Sequence, residues 1–360
     1  MSDANANSIA TESYAALAVG AALVPHTIHR RQPGARDVLI DIDFCGVCHT
    51  DLHFVQNDWG MSSYPLVPGH EIIGRVRAVG PEVTDLSVGQ NVGVGCLVES
   101  CRHCASCESG EEQYCLNGMT MTYGSPSEDP GGVTYGGYSK SITVNRDFVL
   151  TVPDTLDPSA CAPLLCAGIT TYSPLRHWNV GPGTTVGVIG LGGLGHMGIK
   201  LAHAMGARVV MITTSASKAA DAKRLGADEV LLSTDADAMA AAAGKFDFLL
   251  NTIPVPHDFN HYMMLLKVDG TMCIVGAIGP IAELNTMPLL MGRRAVAGSL
   301  IGGLRETQEM LDFCGKKGVT ADVELIDMSQ IGAAYERMLK SDVKYRFVID
   351  LATMQAAAAA

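Results

Sequence analysis

The sequence predicts an α/β fold of two domains, an irregular β-rich domain followed by a domain with a doubly wound parallel sheet. Three observations predict it. The chain has 360 residues, a length that suits two domains. Short β-rich segments separated by glycine and proline turns occur before Cys166, and strands alternate with helices after it. The expected boundaries are 1–166 for the first domain, 167–298 for the second and 299–354 for a return to the first, with 355–360 treated as an added tail.

The predicted elements follow from local patterning. In the first domain, β-branched and aromatic residues predict strands at 38–44, 71–79, 91–95 and 138–144. In the second, buried strands are predicted at 185–189, 209–213, 246–251 and 271–275, with helices at 194–205, 217–225 and 257–266. After residue 299 we expect an amphipathic stretch at 305–314, a further segment at 331–339 and a strand at 346–351.

Four cysteines are closely spaced in the first domain. They follow the pattern C-x2-C-x2-C-x7-C and are Cys101, Cys104, Cys107 and Cys115. Four thiolates at such spacing can surround one zinc ion tetrahedrally and leave no open position for a substrate. The alternative, four buried thiols, is disfavoured because the surrounding stretch is mostly polar. The cluster therefore predicts a structural zinc site.

Composition bears on compartment and partners. The 11 cysteines are an odd number and the N-terminus lacks signal-peptide character, so we expect a reducing, cytoplasmic setting. No run of about 18 apolar residues predicts a membrane span. The formal charge is −12, with 25 basic against 37 acidic residues. This charge repels phosphate backbones, so nucleic acid is not an expected partner.

A glycine-rich loop directly follows the predicted strand at 185–189. It has the form G-x-G-x-x-G and contains Gly190, Gly192, Gly193, Leu194 and Gly195. Glycines at these positions let the backbone turn sharply and approach a pyrophosphate at the start of the next helix. A glycine turn without a ligand is the alternative. The context of strand, loop and helix predicts a dinucleotide site of the Rossmann type.

The end of the next strand bears on which dinucleotide binds. An NAD site usually has an acidic residue about 20 positions after the loop, but the chain has none from Met197 to Ala220. It carries hydroxyls and an ammonium instead, at Thr213, Thr214, Ser215 and Lys218. These groups suit a 2′-phosphate and favour NADP(H). The hydroxyls could equally cap the following helix, and both roles are compatible.

The order of these motifs resembles that of zinc-dependent medium-chain alcohol dehydrogenases. The segments that carry the resemblance are Gly46-Val47-Cys48-His49-Thr50-Asp51, Gly69-His70-Glu71, the four-cysteine cluster and the loop at 190–195. Within that superfamily, Cys166-Ala167-Gly168-Ile169-Thr170-Thr171-Tyr172 and the hydroxyl-rich segment are similar to the cinnamyl-alcohol-dehydrogenase branch, and closest to its bacterial broad-specificity NADPH-dependent aldehyde reductases. The resemblance implies that the first domain is GroES-like and catalytic.

The resemblance also implies a second zinc ion, which is catalytic. Cys48, His70 and Cys166 would bind it and leave one position open to substrate. Glu71 corresponds to a residue that can enter that position, with a role outside the ligand set as the alternative. A Cys45–Cys48 chelate is the competing interpretation of the ligand set.

A proton relay is implied on the same basis. The resemblance assigns its steps to Thr50 and His53, with assistance from Asp58, whereas an ordinary surface imidazole is the alternative for His53. It also implies a set of residues that line the nicotinamide half of the site, each of which could instead be a core or loop residue. This set is Thr170, Thr252, Val275, Gly276, Ser299 and Ile301.

The substrate pocket departs from the pattern of the lignin-forming relatives. Those proteins carry a tryptophan a few residues after the last structural cysteine, where this chain has Thr120 and no tryptophan. Trp59 and Met61 could wall an apolar pocket, with structural packing as the alternative. Without this tryptophan the wall of the substrate pocket is smaller. This predicts that the protein accepts a range of aldehydes and is not dedicated to hydroxycinnamyl substrates.

The sequence therefore predicts an NADPH-dependent and zinc-dependent reductase of small aromatic and aliphatic aldehydes, reversible toward primary alcohols. Two alternatives remain at this point: an NAD-dependent alcohol or polyol oxidising enzyme of the same fold, and a redox sensor that binds zinc and nucleotide without turnover. By resemblance we expect a homodimer.

Overall fold

The computed structural model describes residues 8–276, 279–281 and 283–354. The predicted tail at 355–360 lies outside these ranges. Up to Cys166, the described residues form nine strands and three helices. The strands are β1 (Ser8–Ala15), β2 (Val24–Arg31), β3 (Asp37–Gly46), β4 (Ile72–Val79), β5 (Asn91–Val94), β6 (Leu97–Glu99), β7 (Thr120–Met121), β8 (Ser141–Asn145) and β9 (Leu150–Thr151). The helices are α1 (His49–Gln56), α2 (Ala105–Ser109) and α3 (Pro158–Cys161).

Helices and strands alternate in the next part of the chain. The helices are α4 (Ala167–His177), α5 (Gly193–Ala204), α6 (Ala219–Arg224), α7 (Ala236–Ala241), α8 (Asn260–Met263) and α9 (Met287–Gly292). The strands are β10 (Thr185–Ile189), β11 (Arg208–Thr213), β12 (Glu229–Leu232), β13 (Phe246–Asn251), β14 (Leu266–Ile274) and β15 (Ala295–Gly298). The last part contains α10 (Leu304–Lys317), β16 (Val323–Asp327), α11 (Ile331–Leu339) and β17 (Arg346–Asp350).

Contacts group the described residues into two units. The first runs to Cys166 and resumes at Gly303, and the second is Ala167–Gly302. The sequence places the return of the chain at residue 299, a few residues before it rejoins the first unit.

A seven-stranded sheet organises the first unit. Its order is β16-β17-β3-β4-β5-β9, and β8 also pairs with β3. Strand β3 pairs with β4, β8 and β17 in antiparallel fashion. In this register Cys45 lies opposite Ile72, so the segment that follows β3 and the segment that precedes β4 leave the sheet at the same end. Those two segments carry Cys48 and His70.

A six-stranded parallel sheet organises the second unit. Its order is β12-β11-β10-β13-β14-β15, and each neighbouring pair is parallel. Valines and leucines such as Val186, Val188 and Leu249 are fully buried, as expected for a sheet covered on both faces. The strand order reverses at β10, which lies between β11 and β13. Ligands of doubly wound sheets bind at this point, beyond the carboxyl ends of the strands.

One predicted helix is largely wrong. The helix expected at 257–266 is reduced to α8 (Asn260–Met263), and Leu266 already pairs with Phe246 at the start of β14. Residues 264–265 form a turn and Leu266 enters the sheet, so only one turn of helix remains. The short edge strands β12 and β15 were not predicted, since half-buried strands of four residues carry little periodic signal.

Among the described residues, no helix combines the length and the apolar character required to cross a lipid bilayer.

Candidate functional site

The four-cysteine cluster is assembled around the short helix α2. Its sulfur atoms all lie within 4.8 Å of one another. The Sγ atom of Cys107 is 3.5 Å from that of Cys104 and 3.9 Å from that of Cys101. Backbone N–H groups point at the sulfurs, since Cys101 N–H donates to Cys115 Sγ and Leu116 N–H donates to Cys104 Sγ, each at 3.4 Å. This donor set fits a closed tetrahedral zinc site.

Backbone hydrogen bonds favour the thiolate form of two of these cysteines. A hydrogen bond from the His103 backbone lowers the pKa of Cys101 to about 6. Those from Cys107 and Leu116 lower the pKa of Cys104. Burial instead raises the pKa of Cys107 to about 11 in the absence of a metal. Thiolates are the form that binds zinc, so the backbone is preorganised for the ion at two of the four donors.

A second donor group lies in the same unit and has a different composition. One ligand atom each from Cys48, His70, Glu71 and Cys166 lies within 4.8 Å of the others. The Sγ atoms of Cys48 and Cys166 are 3.9 Å apart, and His70 Nε2 is 3.4 Å from Cys166 Sγ. The structure thus brings together donors that span 118 residues. All four are buried or nearly so, with Cys48 the most exposed at 9%.

Each donor is positioned by a specific element. Cys48 immediately precedes α1, and His70 and Glu71 immediately precede β4. Cys166 follows Leu165, which packs close to the sheet because Gly93 in β5 has no side chain. A Cβ atom there would lie 3.1 Å from Leu165 Cδ1. The Sγ atom of Cys45 lies outside this donor group and points toward Gly46 O at 3.6 Å, so the geometry gives no support to a Cys45–Cys48 chelate.

Asp51 orients this group, a role that the sequence did not predict. Its carboxylate is fully buried. Oδ1 accepts hydrogen bonds from Gly69 N–H at 3.1 Å and from His70 Nδ1–H at 3.2 Å. Oδ2 accepts hydrogen bonds from Cys48 N–H at 2.9 Å and from Tyr138 OH at 3.3 Å. A proton held on Nδ1 leaves Nε2 of His70 as the ligand atom, the usual carboxylate–histidine arrangement at metal sites.

Glu71 is buried in an ion pair. Its Oε1 atom pairs with the guanidinium of Arg346 from β17. The other oxygen, Oε2, is buried and has no hydrogen-bond partner among the described residues. Burial, with a contribution from Cys48 and against the charge of Arg346, raises the pKa of Glu71 to about 7. One oxygen of Glu71, two sulfurs and an imidazole nitrogen thus lie close together, a donor set that fits a zinc ion.

The electrostatics of Cys48 favour the same conclusion. Its hydrogen bond with the Cys166 thiol, assisted by His70 and by the charge of Arg346, overcomes burial and lowers the pKa of Cys48 well below that of an ordinary cysteine. A thiolate is therefore favoured at this position.

The predicted relay residues lie on α1 and just after it. Thr50 and His53 are one helical turn apart, so their side chains leave the same face. His53 Nδ1 lies 2.7 Å from Asp58 Oδ2, and both side chains are about two-fifths exposed, at 40% and 42%. The imidazole also contacts the ring of Trp59, with ring centroids 5.1 Å apart. The pair thus lies at the surface, close in sequence to the buried donor Cys48.

The three predicted pocket residues differ in exposure and in surroundings. Trp59 and Met61 are exposed, at 44% and 53%, and Trp59 packs edge-on against Phe54. Thr120 lies in β7 and lines a polar cavity of about 740 Å³ with residues such as Arg31. Neither Trp59 nor Met61 is among the described residues that line this cavity.

The glycine loop has the geometry that a dinucleotide requires. Gly190 has φ +93°, a backbone conformation that favours glycine. A side chain at Gly195 would overlap the carbonyl of Gly190, so the helix could not pack this close to the loop. A Cβ at Gly192 would meet no atom within 4 Å, which leaves open space above the start of α5. This space adjoins the helix N-terminus, where a pyrophosphate binds.

The predicted 2′-phosphate residues lie at the end of β11, beside the loop. Thr213 Oγ1 accepts a hydrogen bond from Ser215 N–H at 3.1 Å, and Ser215 Oγ is 2.8 Å from Ser217 Oγ. Lys218 Nζ donates to Leu191 O at 3.1 Å, which brings its ammonium next to the glycine loop. Thr214 is exposed. The hydroxyls and the ammonium thus border one end of the open space above the loop.

The predicted nicotinamide residues lie at the carboxyl ends of the neighbouring strands. Thr252 follows β13, and its Oγ1 donates to Ile189 O at 2.8 Å. Val275 and Gly276 follow β14, and Ser299 and Ile301 follow β15. Thr170 is buried in α4. Thr170 therefore lies on a helix and not at a strand end. The other five residues share one edge of the parallel sheet.

Two protein-family models match the chain. The model described as alcohol dehydrogenase GroES-like domain matches residues 34–154, and the model described as zinc-binding dehydrogenase matches residues 193–316. The first match contains Cys48, His70 and the four-cysteine cluster. These matches confirm the predicted fold class.

Similar proteins cover nearly the whole chain. Aldehyde reductase YahK of Escherichia coli strain K12 is 58% identical over 334 residues, which cover 92% of this chain and 95% of that protein. NADP-dependent alcohol dehydrogenase C of Mycobacterium bovis is 51% identical over 342 residues, which cover 95% and 99%. A solved structure of a cinnamyl alcohol dehydrogenase from Sorghum bicolor superposes with a TM-score of 0.93 at 43% identity, covering 98% of this chain and 100% of the other.

Substituting one cysteine of the four-cysteine cluster tests whether both donor groups bind metal. We expect about two zinc ions per chain in the parent protein and about one in Cys104→Ser, because a closed site does not tolerate the loss of a thiolate. Elemental analysis of the purified proteins measures this. Cys161→Ser, a buried thiol outside both donor groups, is the matched control and should retain both ions. Equal metal content in all three proteins would contradict the assignment.

Proposed function

The chain belongs to the zinc-binding alcohol dehydrogenase family, and we propose that it uses NADPH to reduce small aromatic and aliphatic aldehydes to primary alcohols, reversibly. It is an oxidoreductase. The observation that carries this proposal is the buried convergence of Cys48, His70 and Cys166, in addition to a separate, complete thiolate cluster. The similarity to an aldehyde reductase and to an NADP-dependent alcohol dehydrogenase supports the substrate class and the cofactor.

Cys48, His70 and Cys166 would hold a catalytic zinc ion. When bound, zinc provides a Lewis acid for a carbonyl oxygen and NADPH provides the hydride. Asp51 holds a proton on Nδ1 of His70 and so keeps Nε2 directed at the cluster. Arg346 holds Oε1 of Glu71 in an ion pair and leaves Oε2 without a hydrogen-bond partner among the described residues. The two thiolates would balance the charge of the ion, while Glu71 and Arg346 balance each other.

Thr50, His53 and Asp58 would move the proton that the reaction consumes. Thr50 exchanges a proton at Oγ1, close in sequence to the buried ligand Cys48, and His53 exchanges one with solvent at its exposed ring. Asp58 accepts a hydrogen bond from Nδ1 of His53, which leaves Nε2 as the atom that releases or takes up the proton. Thr50 and His53 lie one helical turn apart on α1. A proton passed between them would therefore move from the side of Cys48 toward the exposed ring of His53.

The glycine loop and the end of β11 would bind NADPH. The N–H groups at the start of α5 face the space that Gly192 leaves open, and they suit the pyrophosphate. Thr213, Ser215 and Lys218 offer hydroxyls and a positive charge to the 2′-phosphate. Thr252 and Val275 lie at the strand ends on the other side of the loop, where we place the nicotinamide.

The function is tested by turnover with a simple aldehyde. The zinc-loaded protein should consume NADPH in the presence of benzaldehyde, measured by the loss of NADPH absorbance, and Cys48→Ala should reduce this rate to background because a zinc ligand is lost. Cys45→Ala, three residues upstream, removes a buried thiol outside the donor group and should keep most of the activity. If a folded Cys48→Ala variant turned over at the parent rate, the proposed site would be wrong.

The choice of cofactor is tested at Lys218. Lys218→Ala should raise KM for NADPH by about 10- to 100-fold, since a charged hydrogen bond to phosphate is lost, and should leave KM for NADH nearly unchanged. Steady-state kinetics with both cofactors measures the difference. Lys223→Ala, in the adjacent helix α6, is the control for a general loss of positive charge. A parent enzyme that used NADH as efficiently as NADPH would contradict the proposed role of this segment.

We also propose that the protein forms a homodimer and that it is located in the cytoplasm. Helix α9 directly precedes the edge strand β15 and exposes Met287, Leu290 and Met291, an apolar surface that a second copy could cover. Sedimentation should show dimers for the parent and monomers for Leu290→Glu, and monomers for both would contradict the proposal. Thiolate ligands persist in a reducing compartment such as the cytoplasm. Cell fractionation tests whether the protein is located there.

A further inference from the structure

A buried amide lies at the end of the central strand β13, beside the glycine loop. Asn251 is fully buried. Its Oδ1 atom accepts a hydrogen bond from Ile253 N–H at 3.2 Å, and its Nδ2 atom lies 2.9 Å from Nε2 of His257. The other ring nitrogen of that imidazole, Nδ1, lies 2.7 Å from the carbonyl oxygen of Val255. This histidine is not among the residues predicted for the site.

These contacts determine the protonation of the ring. A backbone N–H can only donate, so the oxygen of the Asn251 amide must face Ile253 and its NH₂ group must face His257. Nε2 of His257 then has to be an acceptor without a proton. A carbonyl can only accept, so Nδ1 carries the proton. The contact with Asn251 assigns a neutral imidazole, and the contact with Val255 agrees with it because it places the hydrogen on Nδ1.

The hydrogen bonds of Asn251 hold residues 252–253, and these residues pack against the glycine loop. A Cβ atom at Gly190 would lie 3.1 Å from Thr252 Oγ1 and 3.2 Å from Ile253 Cγ1. A Cβ at Gly195 would lie 3.2 Å from the same hydroxyl. Ile253 therefore packs directly against the loop, and its backbone position depends on the Asn251 amide.

We propose that neutral His257 is a positioning residue of the dinucleotide site, which fixes the Asn251 amide and through it the Thr252–Ile253 backbone against Gly190. The inference rests on the proposed function, because it assumes that this loop binds NADPH. It adds a residue outside the motifs, which acts on the loop through the Asn251 amide.

His257 lines a cavity of about 430 Å³ with Asp258 and Glu283, and the ring of Tyr262 lies 6.0 Å from the imidazole. The Asn251 amide requires an acceptor at Nε2 of His257. With a donor at that position, two donors would face each other, and the amide would have to turn and lose its bond to Ile253.

The first test compares NADPH binding in two substitutions at this position. His257→Gln can offer Oε1 to the Asn251 amide, whereas His257→Leu offers no acceptor. At pH 8 we expect the dissociation constant for NADPH, measured by NADPH fluorescence with zinc-loaded protein, to rise by about three- to tenfold in His257→Leu and to stay near that of the parent in His257→Gln. Rescue by the acceptor-bearing variant separates positioning through the amide from a general loss of packing.

The second test reads the ring directly. Nitrogen-15 NMR of histidine-labelled protein near pH 8 should show His257, assigned by its loss in His257→Gln, as the Nδ1–H tautomer. An Nε2–H tautomer, or equal dissociation constants for the parent and His257→Leu, would overturn the inference. If His257→Leu does not fold, the tautomer still decides. If the parent binds no NADPH at all, the proposed function fails and the tautomer alone decides the role of His257.

Discussion

The carboxylate of Asp51 holds together the segments from which the buried donor group is built. It accepts hydrogen bonds from the backbone at Cys48 and Gly69, from the ring of His70 and from the hydroxyl of Tyr138. A buried carboxylate without such partners would be strongly unfavourable. Because these partners come from separate parts of the chain, satisfying this charge requires the start of α1, the segment before β4 and the segment before β8 to meet. The requirement that stabilises the fold therefore also aligns the ligands.

The pair formed by Glu71 and Arg346 is harder to explain by stability alone. Both side chains are buried, and desolvation of two charges commonly offsets most of their attraction. Each also leaves one polar atom without a partner, Oε2 of Glu71 and Nε of Arg346, among the described residues. Arrangements of this kind are costly and tend to occur where a site requires them. One carboxylate oxygen of Glu71 lies within 4.8 Å of the donor atoms of Cys48, His70 and Cys166, so the ion pair borders the candidate metal site.

The features that could be predicted from sequence are those encoded locally. The four-cysteine cluster lies within 15 residues and the glycine loop within six, so spacing alone specified their geometry. Cys48, His70 and Cys166 are brought together by the register of β3 and β4 and by the packing of Leu165 on Gly93, which no local pattern reveals, and only the family resemblance joined them. Other features required the structure itself. Asp51 stands in the quoted motif, but its role depends on partners as distant as Tyr138, and Arg346 faces a partner 275 residues away. The four central strands of the second unit were predicted because buried parallel strands are continuously apolar, whereas the edge strands β12 and β15 were missed. The apolar stretch within 257–266 was mistaken for a longer helix.

The pairing of β17 with β3 has a consequence for how the protein is made. Ile349 lies opposite Cys45, and Arg346 reaches Glu71, so a late segment of the chain completes the surroundings of an early one. During synthesis, Cys48, His70 and Cys166 leave the ribosome well before this strand exists. The nascent chain therefore carries unprotected thiols, without their cationic neighbour, for most of translation. Capture of the ion in its final environment is a late, post-translational event, and oxidants or competing soft metals have their best opportunity before it.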